Sequence, residues 1–270
     1  MITFIRSRCL ASRIALILFS LHIPLSIYAS TAVNDPNFIY SREEYDQKLT
    51  LPNALVIAST GRSGSTLLFD QLKNYASPQY DVYKTHLLPP STQFDGKIIF
   101  VFSNPDKAAE SALNMTMTRP YKRIHFSNLE STDRIWLERL AGKACQTEED
   151  NLLAYDGLGT AQHLKEWLLT KTIPTTLAEA NILAIKYEHL WDMETIAAIK
   201  EFLQIPEFDL PPFRPRGKSY ANKPNIIAIK QLYNQGSDDE PLYQAYDEAR
   251  PLWKAAPPFQ YLKLRPTLAN

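Results

Sequence analysis

The chain has 270 residues, of which 45% are hydrophobic and 21% are charged, so one α/β domain with a sizeable core is the default expectation. Its 29 basic residues equal its 29 acidic residues in number, and the formal net charge is zero. That balance gives no reason to expect nucleic acid as a partner.

The N-terminal segment, residues 1–29, has the pattern of a secretory signal peptide. Three arginines precede an apolar run at residues 14–29, and small residues follow it. The run contains a histidine and a proline and is shorter than the roughly 20 residues that span a bilayer. We expect cleavage after Ala29 or Ala32 and export to a periplasm or the cell exterior. An uncleaved membrane anchor, which would make the membrane a partner, and a misassigned start codon are the alternatives.

After a surface lead-in at residues 30–52, residues 53–270 are expected to form one domain in which strands alternate with helices. Predicted strands lie near 53–59, 79–84, 97–102 and 182–187. Predicted helices lie near 65–76, 106–116, 131–143, 159–171, 192–204, 225–235 and 238–249. The alternation predicts a central parallel sheet with helices on both faces, whose ligands bind beyond the carboxyl ends of the strands. A proline-rich segment at 205–224 could fold over such a ligand.

The first predicted strand and helix enclose a short turn, residues 60–65, that is rich in glycine and serine. The apolar run 54–59 stops at Thr60, and Gly61 and Gly64 allow the main chain to approach a ligand closely. Backbone N–H groups at the start of a helix, together with the helix dipole, attract an anion. The turn therefore predicts a site for a phosphate or sulfate ester.

This turn differs from the loop that binds nucleoside triphosphates, in which a glycine and four further residues precede Gly-Lys-Ser/Thr. Ser59 stands in the first glycine position and Ser65 in the lysine position, so only the second glycine and the threonine keep the pattern. The predicted strand 97–102 runs into Ser103 and offers no acidic side chain to a magnesium ion. An ATPase is therefore disfavoured, and an anion site without a metal ion is favoured.

Several short segments carry a family resemblance. They are residues 60–68, 84–89, 97–105 with Ser111, 185–190 and 199–204. In this order they resemble the 5′-phosphosulfate loop, the catalytic histidine segment, the 3′-phosphate segment and a late strand and helix of the sulfotransferases. The resemblance spans about residues 53–220. It implies a fold like that of the P-loop nucleoside-triphosphate hydrolases and transfer of a sulfuryl group to a hydroxyl or amine acceptor. It also implies 3′-phosphoadenosine 5′-phosphosulfate as co-substrate and no metal ion.

The resemblance implies a role for each matching residue. His86 would be the general base, Arg62 would stabilise charge on the leaving phosphate, and Lys84 would reach the transferring sulfonate. The implied donor-binding residues are Gly61, Arg62, Ser63, Gly64, Ser65 and Thr66 at the 5′-phosphate, Ser111 at the 3′-phosphate, Tyr187 at the adenine, and Arg216, Gly217 and Lys218 in a late basic segment.

Two segments depart from the family pattern. Ser103 stands where the family has an arginine, so a bidentate contact to the 3′-phosphate is missing at that position. The late basic segment appears in rearranged order at 215–219, where Arg214, Arg216 and Lys218 could compensate.

Three functions remain open on the sequence: a sulfotransferase, a P-loop kinase of a small molecule, and a non-catalytic nucleotide-binding protein. The missing lysine counts against the kinase, whereas Ser103 favours the binding protein.

The acceptor of a sulfotransferase could be a carbohydrate, a phenol or a peptide tyrosine. Ser63 or Ser65 could equally serve as the N-cap of the helix that follows, and both roles can hold at once. The other histidines lack the mutual spacing of metal ligands, so no zinc site is expected.

Overall fold

The computed structural model describes residues 37–39, 41–118, 152–213 and 224–266. The strands in these ranges are β1 Ala54–Ser59, β2 Asp81–Thr85, β3 Lys97–Phe102, β4 Thr172–Pro174, β5 Ile182–Lys186 and β6 Phe259–Leu264. The helices are α1 Arg42–Leu49, α2 Ser65–Ala76, α3 Pro105–Thr118, α4 Thr160–Lys165, α5 Met193–Leu203, α6 Pro224–Tyr233 and α7 Ala249–Ala255. A π-helical turn, Glu166–Thr170, extends α4.

The six strands form one mixed sheet in the order β2-β1-β3-β5-β6-β4. β2, β1, β3 and β5 are parallel to their neighbours, as the sequence predicts. The predicted parallel sheet is thus confirmed in part: on the side away from β2 the sheet is antiparallel, because β6 runs antiparallel to both β5 and β4. The four parallel strands end at one edge of the sheet, and the predicted phosphate turn lies directly after β1.

Alternate side chains of the central strands pack into two separate apolar layers, which confirms an α/β fold with helices on both faces. On one face Val56, Phe100 and Ala184 pack with residues of α1, α3, α4 and α7. On the other face Ile57 and Val101 pack with residues of α2 and α5. All six residues of β1 are buried, as expected for a central strand that is covered on both sides.

Two predicted elements are wrong. The segment 30–52 is not merely a surface lead-in, because α1 buries Tyr45 and Leu49 completely against the sheet. The helix predicted at 238–249 does not form: a loop and a 3₁₀ turn, Gln244–Tyr246, occupy that range, and α7 begins only at Ala249. Pro241 lies inside the predicted helix, where it would remove a hydrogen bond and clash with the preceding turn.

A buried ion pair fastens the C-terminal part of the chain to α3. The Asp106 carboxylate, 1% exposed, accepts hydrogen bonds from Arg250 Nε at 2.9 Å and Arg250 Nη2 at 2.9 Å. It also accepts the backbone N–H of Tyr243 at 2.8 Å. These contacts hold the start of α7 against the first turn of α3, next to the carboxyl edge of the sheet.

The predicted signal peptide at 1–29 and the predicted helix at 131–143 lie outside the described residues and remain predictions. Within the ranges that the structure does describe, no helix is both long enough and apolar enough to cross a membrane.

Candidate anion site at the carboxyl edge of the sheet

The turn between β1 and α2 is built from left-handed backbone conformations. Gly61 has φ 81°, Arg62 has φ 54° and Gly64 has φ 76°. Gly64 is also the N-cap of α2, and no side chain makes a capping hydrogen bond there. The first-turn N–H groups of α2 are thus not capped by a side chain, and a bound anion would satisfy them.

The serine hydroxyls of the turn make hydrogen bonds to residues of the neighbouring strands. Ser63 Oγ donates to the carbonyl oxygen of Val101 at 2.9 Å, and Ser65 Oγ accepts from Ser59 Oγ at 2.9 Å. Both side chains are buried. The alternative of an N-cap by Ser63 or Ser65 is wrong, since Gly64 occupies that position. Ser63 and Ser65 can therefore serve a ligand through their backbone N–H groups, while their hydroxyls have partners within the protein.

His86 is fixed at one ring nitrogen by the end of β1. Its Nδ1 lies 2.9 Å from Ser59 Oγ and 3.1 Å from the Ser59 carbonyl oxygen. A carbonyl oxygen can only accept, so this contact assigns a proton to Nδ1 and the basic lone pair of the neutral ring to Nε2. The sequence motifs did not indicate that Ser59 positions this histidine.

The surroundings of His86 favour its neutral form. Burial, and then the positive charge of Lys84, lower the pKa of His86 well below its usual value, with smaller contributions from His163 and Arg62 in the same direction. The hydrogen bond to the Ser59 backbone acts in the opposite direction but is outweighed. The imidazole ring is therefore uncharged at neutral pH, and its Nε2 can accept a proton.

Lys84 lies on β2 beside the first turn of α2. Its Nζ donates to Thr66 Oγ1 at 2.6 Å. This contact places a positive charge next to the N-terminal end of α2, which itself favours negative charge. Lys84, which the resemblance assigns to the transferring sulfonate, thus lies in contact with Thr66, which it assigns to the 5′-phosphate.

Arg62 leaves the turn and reaches α3. Its Nε and Nη2 donate to Ser111 Oγ at 3.1 Å and 2.9 Å. The family resemblance assigns Arg62 to the leaving phosphate and Ser111 to the 3′-phosphate, whereas in the structure the two side chains are directly hydrogen-bonded to each other. Arg216, Gly217 and Lys218, the late basic segment, lie outside the described residues.

Tyr187 forms an aromatic wall beside the turn. Its ring packs edge-on against Trp191, with centroids 5.6 Å apart, and Trp191 packs in the same way against Phe213 at 4.8 Å. A Cβ atom at Gly64 would lie 2.0 Å from Tyr187 Cε2. The wall therefore closes directly over the glycine, and rings of this kind offer a surface on which a nucleobase stacks. Trp191 and Phe213 were not indicated by the sequence motifs.

We expect Gly64→Ala to destabilise the fold and abolish anion binding, since the new methyl group would overlap the Tyr187 ring and the backbone would remain at φ 76°. The conformational strain alone costs about 1–2 kcal/mol. Gly159→Ala is a matched control, because Gly159 has φ 64° but no atom within 4 Å of the added methyl. Urea unfolding should show a clearly larger loss for Gly64→Ala. Equal losses would mean that the contact with Tyr187 is unimportant.

Within residues 37–39, 41–118, 152–213 and 224–266, no three His, Cys, Asp or Glu side chains converge in a way that could hold a metal ion. No protein-family model matches the chain. Comparison with curated proteins also gives no significant match.

Proposed function

We propose that this protein is a sulfotransferase that moves a sulfuryl group from 3′-phosphoadenosine 5′-phosphosulfate to a hydroxyl or amine acceptor. The observation that carries the proposal is the hydrogen-bonded link between the anion-binding turn and His86. Ser59 bonds to Ser65 in the turn and to Nδ1 of the imidazole, so the base is fixed relative to the expected anion position. Its Nε2 carries the lone pair that a general base requires.

The residues of the turn fit a phosphosulfate group. The uncapped N–H groups of the first turn of α2 would bind oxygens of the 5′-phosphate. Lys84 is held by Thr66 beside the turn, and its charge would stabilise the negative charge that builds up between phosphate and sulfate as their bond breaks. The aromatic wall of Tyr187 supports an adenine site next to the turn.

The expected reaction is an in-line displacement at sulfur. The acceptor oxygen or nitrogen forms a bond to sulfur while the bond from sulfur to the phosphate oxygen breaks, and its electron pair leaves with adenosine 3′,5′-bisphosphate. The acceptor's proton passes to Nε2 of His86. Such transfers depend mainly on positioning and charge stabilisation. Every group required by this scheme is a side chain or a backbone N–H of the site described above.

The proposal is tested with the purified full chain in the presence of a metal chelator. We expect adenosine 3′,5′-bisphosphate to bind by calorimetry, and donor incubated with carbohydrates, phenols and tyrosine peptides to yield one product that is heavier by a sulfuryl group in mass spectrometry. Nucleotide binding without transfer to any acceptor would indicate a non-catalytic binding protein. Turnover of ATP that depends on magnesium would indicate a kinase. Either result contradicts the proposal.

A further inference from the structure

Residues 37–39 attach a further segment to the outer edge of the sheet, beside β2. Phe38 forms a parallel β-bridge with Lys84. The N–H of Ile39 donates to the Lys84 carbonyl oxygen at 2.8 Å, and the Lys84 N–H donates to the carbonyl oxygen of Asn37 at 2.8 Å. An edge strand usually leaves such groups unpaired. The segment therefore fixes the end of the strand that leads into His86.

Buried side chains anchor this segment next to the site. Ile39 is 1% exposed and packs in the apolar layer that includes residues of α1. The hydroxyl of Thr85, itself fully buried, donates to the Ile39 carbonyl oxygen at 3.1 Å. The same oxygen accepts the backbone N–H of Leu87 at 3.2 Å. One hydroxyl therefore connects the segment to the residues on both sides of His86.

Phe38 lies against the imidazole of His86. The two ring centroids are 5.4 Å apart at an interplanar angle of 57°, which is within the range of packed aromatic pairs. His86 is 8% exposed, whereas Phe38 is only partly buried. The Phe38 ring is therefore one of the groups that separate the base from solvent, and part of its own surface remains available to a ligand.

Water competes with the acceptor in the reaction proposed above. A water oxygen that bonds to sulfur, while the bond from sulfur to the phosphate oxygen breaks, yields hydrogen sulfate and adenosine 3′,5′-bisphosphate. One proton of the water passes to Nε2 of His86, so the same base activates either nucleophile. An apolar ring beside the base offers a water molecule no hydrogen bond, but it stabilises an acceptor that buries apolar surface against it.

We propose that residues 37–39 complete the active site and that Phe38 shields the base from water, so that the sulfuryl group passes to the acceptor and not to water. This inference rests on the proposed function. It makes Phe38 a specificity-determining residue that the sequence motifs do not indicate, since the sequence predicts only a surface lead-in at 30–52.

The test measures hydrolysis of 3′-phosphoadenosine 5′-phosphosulfate by the full chain without an acceptor. Phe38→Ala should release inorganic sulfate faster than the wild type, at an unchanged affinity for adenosine 3′,5′-bisphosphate. With the acceptor identified by product mass, kcat/KM should fall by about 10- to 100-fold, the loss expected when the contact of one aromatic side chain is removed. Phe38→Leu keeps most of the apolar volume and should fall between Phe38→Ala and the wild type.

The pH profile gives a readout that a merely structural role would not change. Burial is the largest cause of the lowered pKa of His86, followed by Lys84 and, to a smaller extent, His163 and Arg62. Hydration of the ring in Phe38→Ala should therefore raise this pKa toward its usual value, while the surrounding charges stay the same. The acid limb of kcat/KM should move to higher pH.

Tyr83→Leu is the matched control. Tyr83 is a partly buried aromatic residue on the same strand, but its ring faces Lys48, whose Nζ lies 4.9 Å from the ring centroid. This variant should change neither hydrolysis nor the acid limb. Thr85→Val removes only the hydroxyl that anchors the segment and should shift both readouts in the same direction as Phe38→Ala, by less.

Thermal melting shows which variants are folded. If Phe38→Ala does not fold, Phe38→Leu and Thr85→Val decide by the same measurements. The inference is overturned, and the proposed function stands, if either readout stays at the wild-type value in the folded variants or if Tyr83→Leu changes it equally. If the wild type does not bind adenosine 3′,5′-bisphosphate, the proposed function fails, and this inference fails with it.

Discussion

His86→Asn should slow sulfuryl transfer by about 100- to 10,000-fold, the range that a positioned general base contributes. The asparagine amide can still donate to the Ser59 carbonyl oxygen, as Nδ1 does, but nothing replaces the lone pair at Nε2. The affinity for adenosine 3′,5′-bisphosphate should stay close to that of the wild type, since this nucleotide lacks the group that reacts. The measurements are turnover by product mass and affinity by calorimetry.

The pH dependence of the wild type provides a second readout of the same role. A base must be unprotonated, so kcat/KM falls when the pH drops through its pKa. Because burial and Lys84 lower the pKa of His86 well below its usual value, the acid limb of the profile should lie below about pH 6.5. His86→Asn should lose that limb. Two results would contradict the role of His86 as a base. One is a His86→Asn variant with the wild-type rate, and the other is a wild-type kcat/KM that already falls with decreasing pH above pH 6.5.

Arg250→Met should reduce the free energy of unfolding by about 3–5 kcal/mol, the usual cost of leaving one charge of a buried pair without its partner. Arg250 makes two hydrogen bonds to the carboxylate of Asp106, which is 1% exposed and cannot recover hydration in the folded state. The double variant Asp106→Asn/Arg250→Met should regain most of the loss, because no buried charge remains. Urea unfolding of the three proteins gives the comparison.

Asp247→Asn supplies the control for this prediction. Asp247 pairs with the same guanidinium, at 2.6 Å from Arg250 Nη1, but its side chain is 60% exposed. Exposed pairs contribute only about 0–1 kcal/mol, so the variant should unfold almost like the wild type. If Asp247→Asn and Arg250→Met cost the same, the stability does not come from the buried carboxylate.

The sequence predicted the parts of the fold whose signals are local. β1, β3 and β5 are short apolar runs buried on both faces, and the turn before α2 follows from Gly61 and Gly64. The antiparallel strand β6 was not predicted, because only Leu262 and Leu264 are buried in it and the pattern is too weak to identify a strand. α1 was overlooked for a similar reason, since its buried face consists of just two residues.

The position of the site could be predicted because the carboxyl ends of parallel strands meet at one edge. The hydrogen-bond partners of the side chains in the site could not be predicted from the sequence. Arg62 and Ser111 are 49 residues apart, and Ser59 and His86 are 27 apart. These pairings depend on strand register and on the left-handed conformation of Arg62, neither of which has a local sequence signal. The motifs therefore indicated a common edge of the sheet for these side chains, but they carried no information on which side chains contact each other.

The hydroxyl at position 59 connects the imidazole of His86 to the turn through a contact that a loop for nucleoside triphosphates could not make. A loop that binds nucleoside triphosphates requires glycine at this position and lysine at position 65. Installing that pair here would remove both hydroxyls of the Ser59–Ser65 contact and the hydroxyl that contacts Nδ1 of His86. With glycine at position 59 the backbone carbonyl oxygen would still contact Nδ1 of His86, so the imidazole would keep one anchor but lose the hydroxyl that links it to residue 65.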